Sequence, residues 1–276
     1  MDLTNLNDLQ TALRLAGIKP KKGLGQHFLV DRPSLEAIMG AADLTPSDIV
    51  LEVGPGLGVM TRPLCERVGR VVAVEADAEL AELLGRDAPS NLTIAHADAL
   101  RYDLTTLPAG YKVVANLPYY LTSNLLRQLL ESTNPPATMS LLVQKDVAER
   151  LVAAPGQLSV LALSVQYYAH AKIVAMVERH KFWPPPQVDS AVVRIERRAQ
   201  PAFAAEPERL FRLVKAGFGE RRKQLKNSLA GGLNASDQAI LTMLASAEID
   251  QTRRAQELDL ADWQRLYAAA AGAKLI

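Results

Sequence analysis

A single cysteine, Cys65, stands in 276 residues, so no disulfide can form within the chain, and a reducing compartment suits it. Cys65 falls in a helical stretch and reads as a small packed hydrophobe rather than a nucleophile. The four histidines show no metal-ligand spacing, so no metal is expected. No apolar run reaches the roughly 20 residues that cross a bilayer. The first residues, Met1-Asp2-Leu3-Thr4-Asn5-Leu6, lack the basic and then apolar pattern of a secretory signal, which points to a cytoplasmic protein. A dominant charge is missing too. With a net charge of +1 and a pI near 7.8, nothing in the total announces a nucleic-acid binder, and the distribution of cations matters more.

What is present is an ordinary globular balance, 49% hydrophobic and 22% charged, at a length that suits one large domain and a smaller one. Leu3, Leu6, Leu9, Leu13 and Ala16 recur at helical spacing, and a basic, glycine-containing loop follows from Lys21 to Asp31. A helix is expected from about Pro33-Ser34. Strands are then predicted at 49–53, 71–75, 92–95, 112–115 and 139–143, alternating with helices near 59–67, 78–85, 123–131 and 145–152. That alternation predicts an α/β fold with a parallel sheet covered by helices on both faces. Segments 172–177 and 191–195 read as a terminal pair that closes the sheet with an antiparallel strand. Residues 1–198 are assigned to this domain, 199–206 to a linker, and 207–276 to a small all-α domain.

Three strand ends carry candidate chemistry. Leu51-Glu52-Val53 runs into Gly54-Pro55-Gly56-Leu57-Gly58, a turn whose glycines permit positive φ and close approach to a ligand. Val59 stands where a dinucleotide fingerprint wants its third glycine. The spacing fits instead the glycine turn of class I methyltransferases, with a plain structural turn as the bland alternative. Glu75 ends the next strand, where a carboxylate can accept from both hydroxyls of an adenosyl ribose; otherwise it is a solvated strand end. Asp98 follows the third strand. It is either an acceptor for an adenine amino group, with Ala99 packed on the ring, or a helix N-cap. His96 reads as a surface histidine.

The fourth strand ends in Asn116-Leu117-Pro118-Tyr119. An amide, nearby carbonyls and an aromatic face can hold a flat ring that bears an amino group, although Asn and Pro also suit a simple turn. Phe182-Trp183-Pro184-Pro185-Pro186-Gln187-Val188-Asp189-Ser190 is a proline-braced loop. Phe182 is assigned to the site, opposite Tyr119 across the ring, and Trp183 to packing. Cations cluster at Lys19/Lys21/Lys22, Arg179-His180-Lys181, Arg194/Arg197/Arg198 and Arg221-Arg222-Lys223 with Lys226. Each is a solvated face or part of a phosphate-tracking surface.

Lys22-x-Leu24-Gly25-Gln26-His27-Phe28-Leu29, the glycine turn, Asn116-Leu117-Pro118-Tyr119-Tyr120 and the Phe182–Ser190 loop occur in that order, followed by Phe218 and Arg221-Arg222-Lys223-Gln224-Leu225-x-Asn227-x-Leu229. In this combination the chain resembles the small-subunit ribosomal RNA adenine-N6,N6 dimethyltransferases, the kasugamycin-resistance family. The resemblance covers most of the chain. It implies a Rossmann-like class I methyltransferase fold, S-adenosyl-L-methionine as cofactor, and two adjacent adenosines of the 3′-terminal hairpin loop as substrate. The partner it implies is small-subunit rRNA in a pre-ribosomal particle, met by a monomer. It assigns cofactor contacts to His27, Leu29, Gly54, Gly56, Glu75, Asp98, Ala99 and Asn116. His27 departs from the pattern, since many members carry Asn there. Asn116, Leu117, Pro118, Tyr119 and Phe182 fall to the target base, and Lys21, Lys22, Arg221, Arg222 and Lys223 to RNA. The nearest rival is a large-subunit adenine methyltransferase of the macrolide-resistance type. A non-catalytic RNA-binding factor and a protein glutamine methylase are further ones.

Overall fold

Nine stretches of the chain are extended in the computed structural model, which describes every residue but Arg221 and gives the backbone alone for Lys22. The strands are β1 (Phe28–Leu29), β2 (Ile49–Val53), β3 (Arg70–Glu75), β4 (Leu92–His96), β5 (Lys112–Asn116), β6 (Thr138–Gln144), β7 (Ala169–Val177), β8 (Phe182–Trp183) and β9 (Ser190–Arg197). The helices are α1 (Leu6–Ala16), α2 (Arg32–Ala42), α3 (Thr61–Cys65), α4 (Ala78–Gly85), α5 (Thr122–Glu131), α6 (Lys145–Leu151), α7 (Val160–Tyr168), α8 (Pro207–Phe218), α9 (Leu225–Leu233), α10 (Asp237–Ser246) and α11 (Leu260–Gly272). The chain divides into two units. Met1–Glu149 with His170–Arg197 forms the first, and Arg150–Ala169 with Arg198–Ile276 the second.

In the first unit seven strands lie in the order β4-β3-β2-β5-β6-β9-β7. β2 to β6 pair in parallel, and β9 runs antiparallel to β6, as the terminal pair predicted. Valine, leucine and isoleucine dominate these strands because both faces are covered, and Val71, Val113, Val114 and Leu141 are wholly buried. Helix starts follow local chemistry. The Asp31 carboxylate accepts from the Ser34 N–H at 3.0 Å to cap α2, and Asn5 caps α1 in the same way. Each central strand was readable to within a residue or two. The two-residue pair β1–β8, which registers Phe28 with Trp183 and Leu29 with Phe182, is too short to leave a pattern.

The second unit is all-helical, but its membership differs from the sequence reading, which placed 150–169 in the first 198 residues. Those residues group with the C-terminal helices instead. The reason is aromatic packing within this unit: Tyr167 in α7 meets Phe203 edge-on at 5.0 Å and Phe211 at 6.0 Å. α7 buries residues on every side (Ala162, Leu163, Val165, Tyr167, Tyr168), so it has no amphipathic stripe to announce it. Close helix contact explains Gly232, where a Cβ would lie 2.6 Å from the Ala216 backbone.

Candidate active site

The strand order places the site. The chain steps outward through β2, β3 and β4, then returns to the other side of β2 for β5, so the carboxyl ends of these strands border one crevice. Register aligns their tips: Val53 lies beside Val74 and Ala115, and Glu75 beside His96. Gly54, Gly56, Glu75, Asp98, Ala99, Asn116, Leu117, Pro118, Tyr119, His27, Leu29 and Phe182 all line this one cleft, whose empty volume with its open mouth is about 1030 Å³.

The glycine turn is bare because it must be. Gly54, Gly56 and Gly58 have φ of 67°, 58° and 86°, and a Cβ on Gly56 would come within 3.0 Å of the Phe28 ring. Glu75 is buried and reaches across to this turn. Its Oε2 accepts from the Gly56 N–H at 3.0 Å and its Oε1 from the Asp77 N–H at 2.9 Å. Each oxygen keeps a lone pair for a ligand hydroxyl. Asp98 does what an N-cap does, accepting from the Leu100 N–H at 2.9 Å, while still facing the cleft.

The loop before β1 forms the cleft's rim, and long-range polar contacts hold it. Lys21 Nζ donates to Asp77 at 2.9 Å and to Glu79 at 2.7 Å, and Gln26 Nε2 donates to Asp77 at 3.0 Å. Burial pushes the Asp77 carboxyl up, but the hydrogen bonds from Lys21 and Gln26 outweigh it and hold it below the usual carboxylate range. The sequence reading gave Lys21 to RNA. The structure instead engages its charge with two carboxylates 56 and 58 residues along the chain.

Lys223 is similarly paired with Glu220, whereas Arg222 is exposed with no partner among the described residues. Arg221 and the Lys22 side chain lie outside the described residues. Other cations of the predicted clusters are engaged as well: Lys181 with Asp31, Arg194 with Glu196 and the Ala41 carbonyl, Arg198 with the Gln166 carbonyl.

At the fourth tip Asn116 Nδ2 donates to the His27 carbonyl at 2.9 Å. A carbonyl only accepts, so the amide is oriented, and no donor among the described residues reaches Oδ1. The Leu117 N–H is tied to the Leu142 carbonyl at 3.1 Å, and no donor among the described residues reaches the Leu117 carbonyl. Pro118 differs from the sequence reading. Its carbonyl accepts from the Leu121 N–H at 3.0 Å and from Thr122 Oγ1 at 3.4 Å, so it opens α5 and both lone pairs have donors. The free acceptors here are Asn116 Oδ1 and Leu117 O.

Tyr119 stacks on the His27 ring at 5.9 Å and 27°, and its hydroxyl meets Ser190 Oγ at 3.2 Å. Burial raises the phenol above its ordinary value, which keeps it neutral. His27 Nδ1 lies 2.7 Å from the Pro184 carbonyl and, since a carbonyl only accepts, is the donor there. Phe182 lines the cleft yet is only 3% exposed, packed in one hydrophobic cluster with Leu29 and Met60. Trp183 packs with Leu9, Leu13 and Phe28, as expected.

Sequence reasoning passed over Glu52. It is wholly buried one strand from Glu75, and neither oxygen has a hydrogen-bond partner among the described residues. The signal was there: one acid inside the apolar run Ile49–Val53. Burial, with the Glu75 charge adding to it, pushes its carboxyl from 4.5 up to about 8. The unfolded chain releases this proton near 4.5 and the folded chain holds it to about 8. Stability therefore falls as pH rises through that window and levels off above it. Glu52→Gln removes the titration, so its melting temperature relative to the parent should rise by at least about 3 °C between acidic and alkaline ends of the window. A difference that stays constant with pH rejects the assignment.

Among the described residues, no group of three His, Cys, Asp or Glu side chains is arranged to hold a metal, and no helix is long and apolar enough to cross a membrane.

A family model described as ribosomal RNA adenine dimethylase matches residues 17–271. A Dehalococcoides mccartyi protein named ribosomal RNA small subunit methyltransferase A is 44% identical over 261 residues, which is 92% of this chain and 90% of that one. A protein of the same name from Geobacillus thermodenitrificans is 39% identical over 268 residues, 92% of each chain. Among solved structures, a dimethyladenosine transferase from Plasmodium falciparum is similar with a TM-score of 0.78 at 25% identity, covering 90% of this chain and 98% of its own. The 23S rRNA methyltransferase ErmE matches with a TM-score of 0.69 at 28% identity, over 88% and 98%.

Proposed function

Because the chain belongs to the ribosomal RNA adenine dimethylase family, we propose that it dimethylates N6 of two adjacent adenosines in the 3′-terminal hairpin loop of small-subunit rRNA, in the cytoplasm, during subunit assembly. The methyl donor is S-adenosyl-L-methionine. The observation that carries this reading is the pair of free acceptors, Asn116 Oδ1 and Leu117 O, at a strand tip in the same cleft as Glu75 and the glycine turn.

The residues present fit the donor. Three glycines at positive φ keep the turn clear of side chains, and the Glu75 carboxylate has a free lone pair on each oxygen for the ribose hydroxyls. Asp98 and Ala99 border the place for an adenine ring. When bound, the donor supplies a methyl group on a sulfonium.

The chain's own part is positioning. Asn116 Oδ1 and the Leu117 carbonyl accept the two N–H bonds of the target amine, which draws its lone pair out of conjugation with the purine. Tyr119 offers a face for the ring, and Phe182 closes the far wall. Alignment of this kind supplies roughly 7–11 kcal/mol of a barrier, and fixed acceptors add electrostatic preorganisation. The base must leave its stack to enter, which is cheapest in a hairpin loop. Once one methyl is on and the nitrogen has released a proton to solvent, a single N–H remains, and either acceptor can hold it for the second transfer.

The large-subunit alternative is disfavoured by sequence: relatives named for the small subunit reach 45% identity, against 28% for the 23S enzyme. The test is mass spectrometry of both rRNAs from cells with and without this protein. Two dimethyladenosines in small-subunit rRNA that vanish with the protein are expected. Loss of methylation confined to the large subunit rejects the reading.

A further inference from the structure

The chain holds five Phe, two Trp and seven Tyr, and of these only Tyr120 is exposed, at 61%. Every other aromatic is at least half-covered. Among the described residues Tyr120 has no ring partner, and it lines the cleft directly after the tetrad that holds the target amine. Its backbone lies one residue beyond Tyr119, whose own ring is already stacked on His27. Gly25 lies beside the Tyr120 ring, where an added Cβ would sit 3.9 Å from Cδ1. Gly25 has φ of 62° and no side chain to set against that ring.

An apolar ring left bare in the mouth of a binding cleft, in a chain that covers all its other rings, is placed for a ligand rather than for the fold. We propose that Tyr120 is a second nucleobase subsite: a stacking platform for the base adjacent to the adenosine held at Asn116. The inference rests on the RNA-methylating function above and extends it. Its ligand is a purine face, because the substrate presents two adenosines in sequence and only one can occupy the tetrad at a time. Tyr120 thus keeps the neighbour unstacked from the target and orders the strand across the cleft mouth. Stacking on an aromatic tolerates any base, so the contact contributes to RNA affinity, while the tetrad selects the amine.

The experiment uses full-length protein and small ribosomal subunits that lack the modification, with Tyr120→Ala, Tyr120→Leu and Tyr120→Phe measured beside the parent. Loss of one base–aromatic stack should raise KM for the subunit roughly tenfold or more in the Ala and Leu variants. Tyr120→Phe should stay within about threefold of the parent, since it keeps the π face. Cofactor affinity by calorimetry should be the same in all four proteins. Unchanged KM in Tyr120→Ala overturns the proposal. So does Tyr120→Leu matching Tyr120→Phe, which would make the contact merely apolar, or a parallel loss of cofactor affinity, which would make it structural. A parent protein that transfers no methyl to these subunits would instead sink the proposed function itself, a separate outcome read in the same assay.

Discussion

Asn116→Ala lowers the rate of methyl transfer by roughly 10²–10³-fold, the effect of removing one preorganised polar group from a transition state. The side chain supplies one of the two free acceptors at the tetrad, and its amide donates to the His27 carbonyl at 2.9 Å. Alanine loses both, yet the glycine turn and Glu75 remain, so the cofactor should bind within about tenfold of the parent. Asn116→Asp is the sharper variant. A carboxylate keeps an acceptor for the amine but turns oxygen against the His27 carbonyl, where like partial charges repel. Its rate should fall as well, which separates the role of orientation from that of mere polarity. Single-turnover transfer at saturating cofactor reads the effect directly. A rate within about threefold of the parent in Asn116→Ala would remove the tetrad from the mechanism.

Glu75→Ala weakens cofactor binding by roughly 10²-fold, as expected when a buried carboxylate that takes ligand hydroxyls is deleted. The loss has two sources. The ribose loses its acceptors, and the N–H groups of Gly56 and Asp77, which Glu75 holds at 3.0 and 2.9 Å, lose theirs. A 2′,3′-dideoxy analogue of the cofactor separates them by a double-mutant cycle. The parent should discriminate against the analogue strongly and Glu75→Ala hardly at all. Equal discrimination by both proteins would mean that Glu75 only braces the turn. Glu75→Gln, which retains one acceptor, should fall between the two.

Much of this site is legible in the sequence. Five parallel strands could be bounded to within a residue or two because each is a largely apolar run that ends at a glycine or a polar residue, Gly54, Glu75, His96, Asn116 and Gln144 in turn. Parallel topology then puts every such ending on one edge of a sheet. Glu75, Asp98 and Asn116 were therefore found together by pattern alone, and the cleft contains all of them. Lys21 was misread because a run of lysines looks the same whether it faces solvent or a pair of acids. Its partners, Asp77 and Glu79, are met only after the loop folds back over α4. Residues 150–169 were misplaced because a helix buried on all sides carries no stripe to show which neighbours it will choose.

The chain's own order of residues settled the α/β class, the strand endings, the glycine turn and the tetrad, since these follow from backbone sterics and from apolar periodicity over short stretches. Folding in space settled which lone pairs stay free: Pro118 lost its carbonyl to α5, while Asn116 and Leu117 kept theirs. It also left both Glu52 oxygens without a hydrogen bond among the described residues and Tyr120 exposed. Hydrogen-bond saturation and desolvation depend on groups brought together from distant parts of the chain, and no local window contains them.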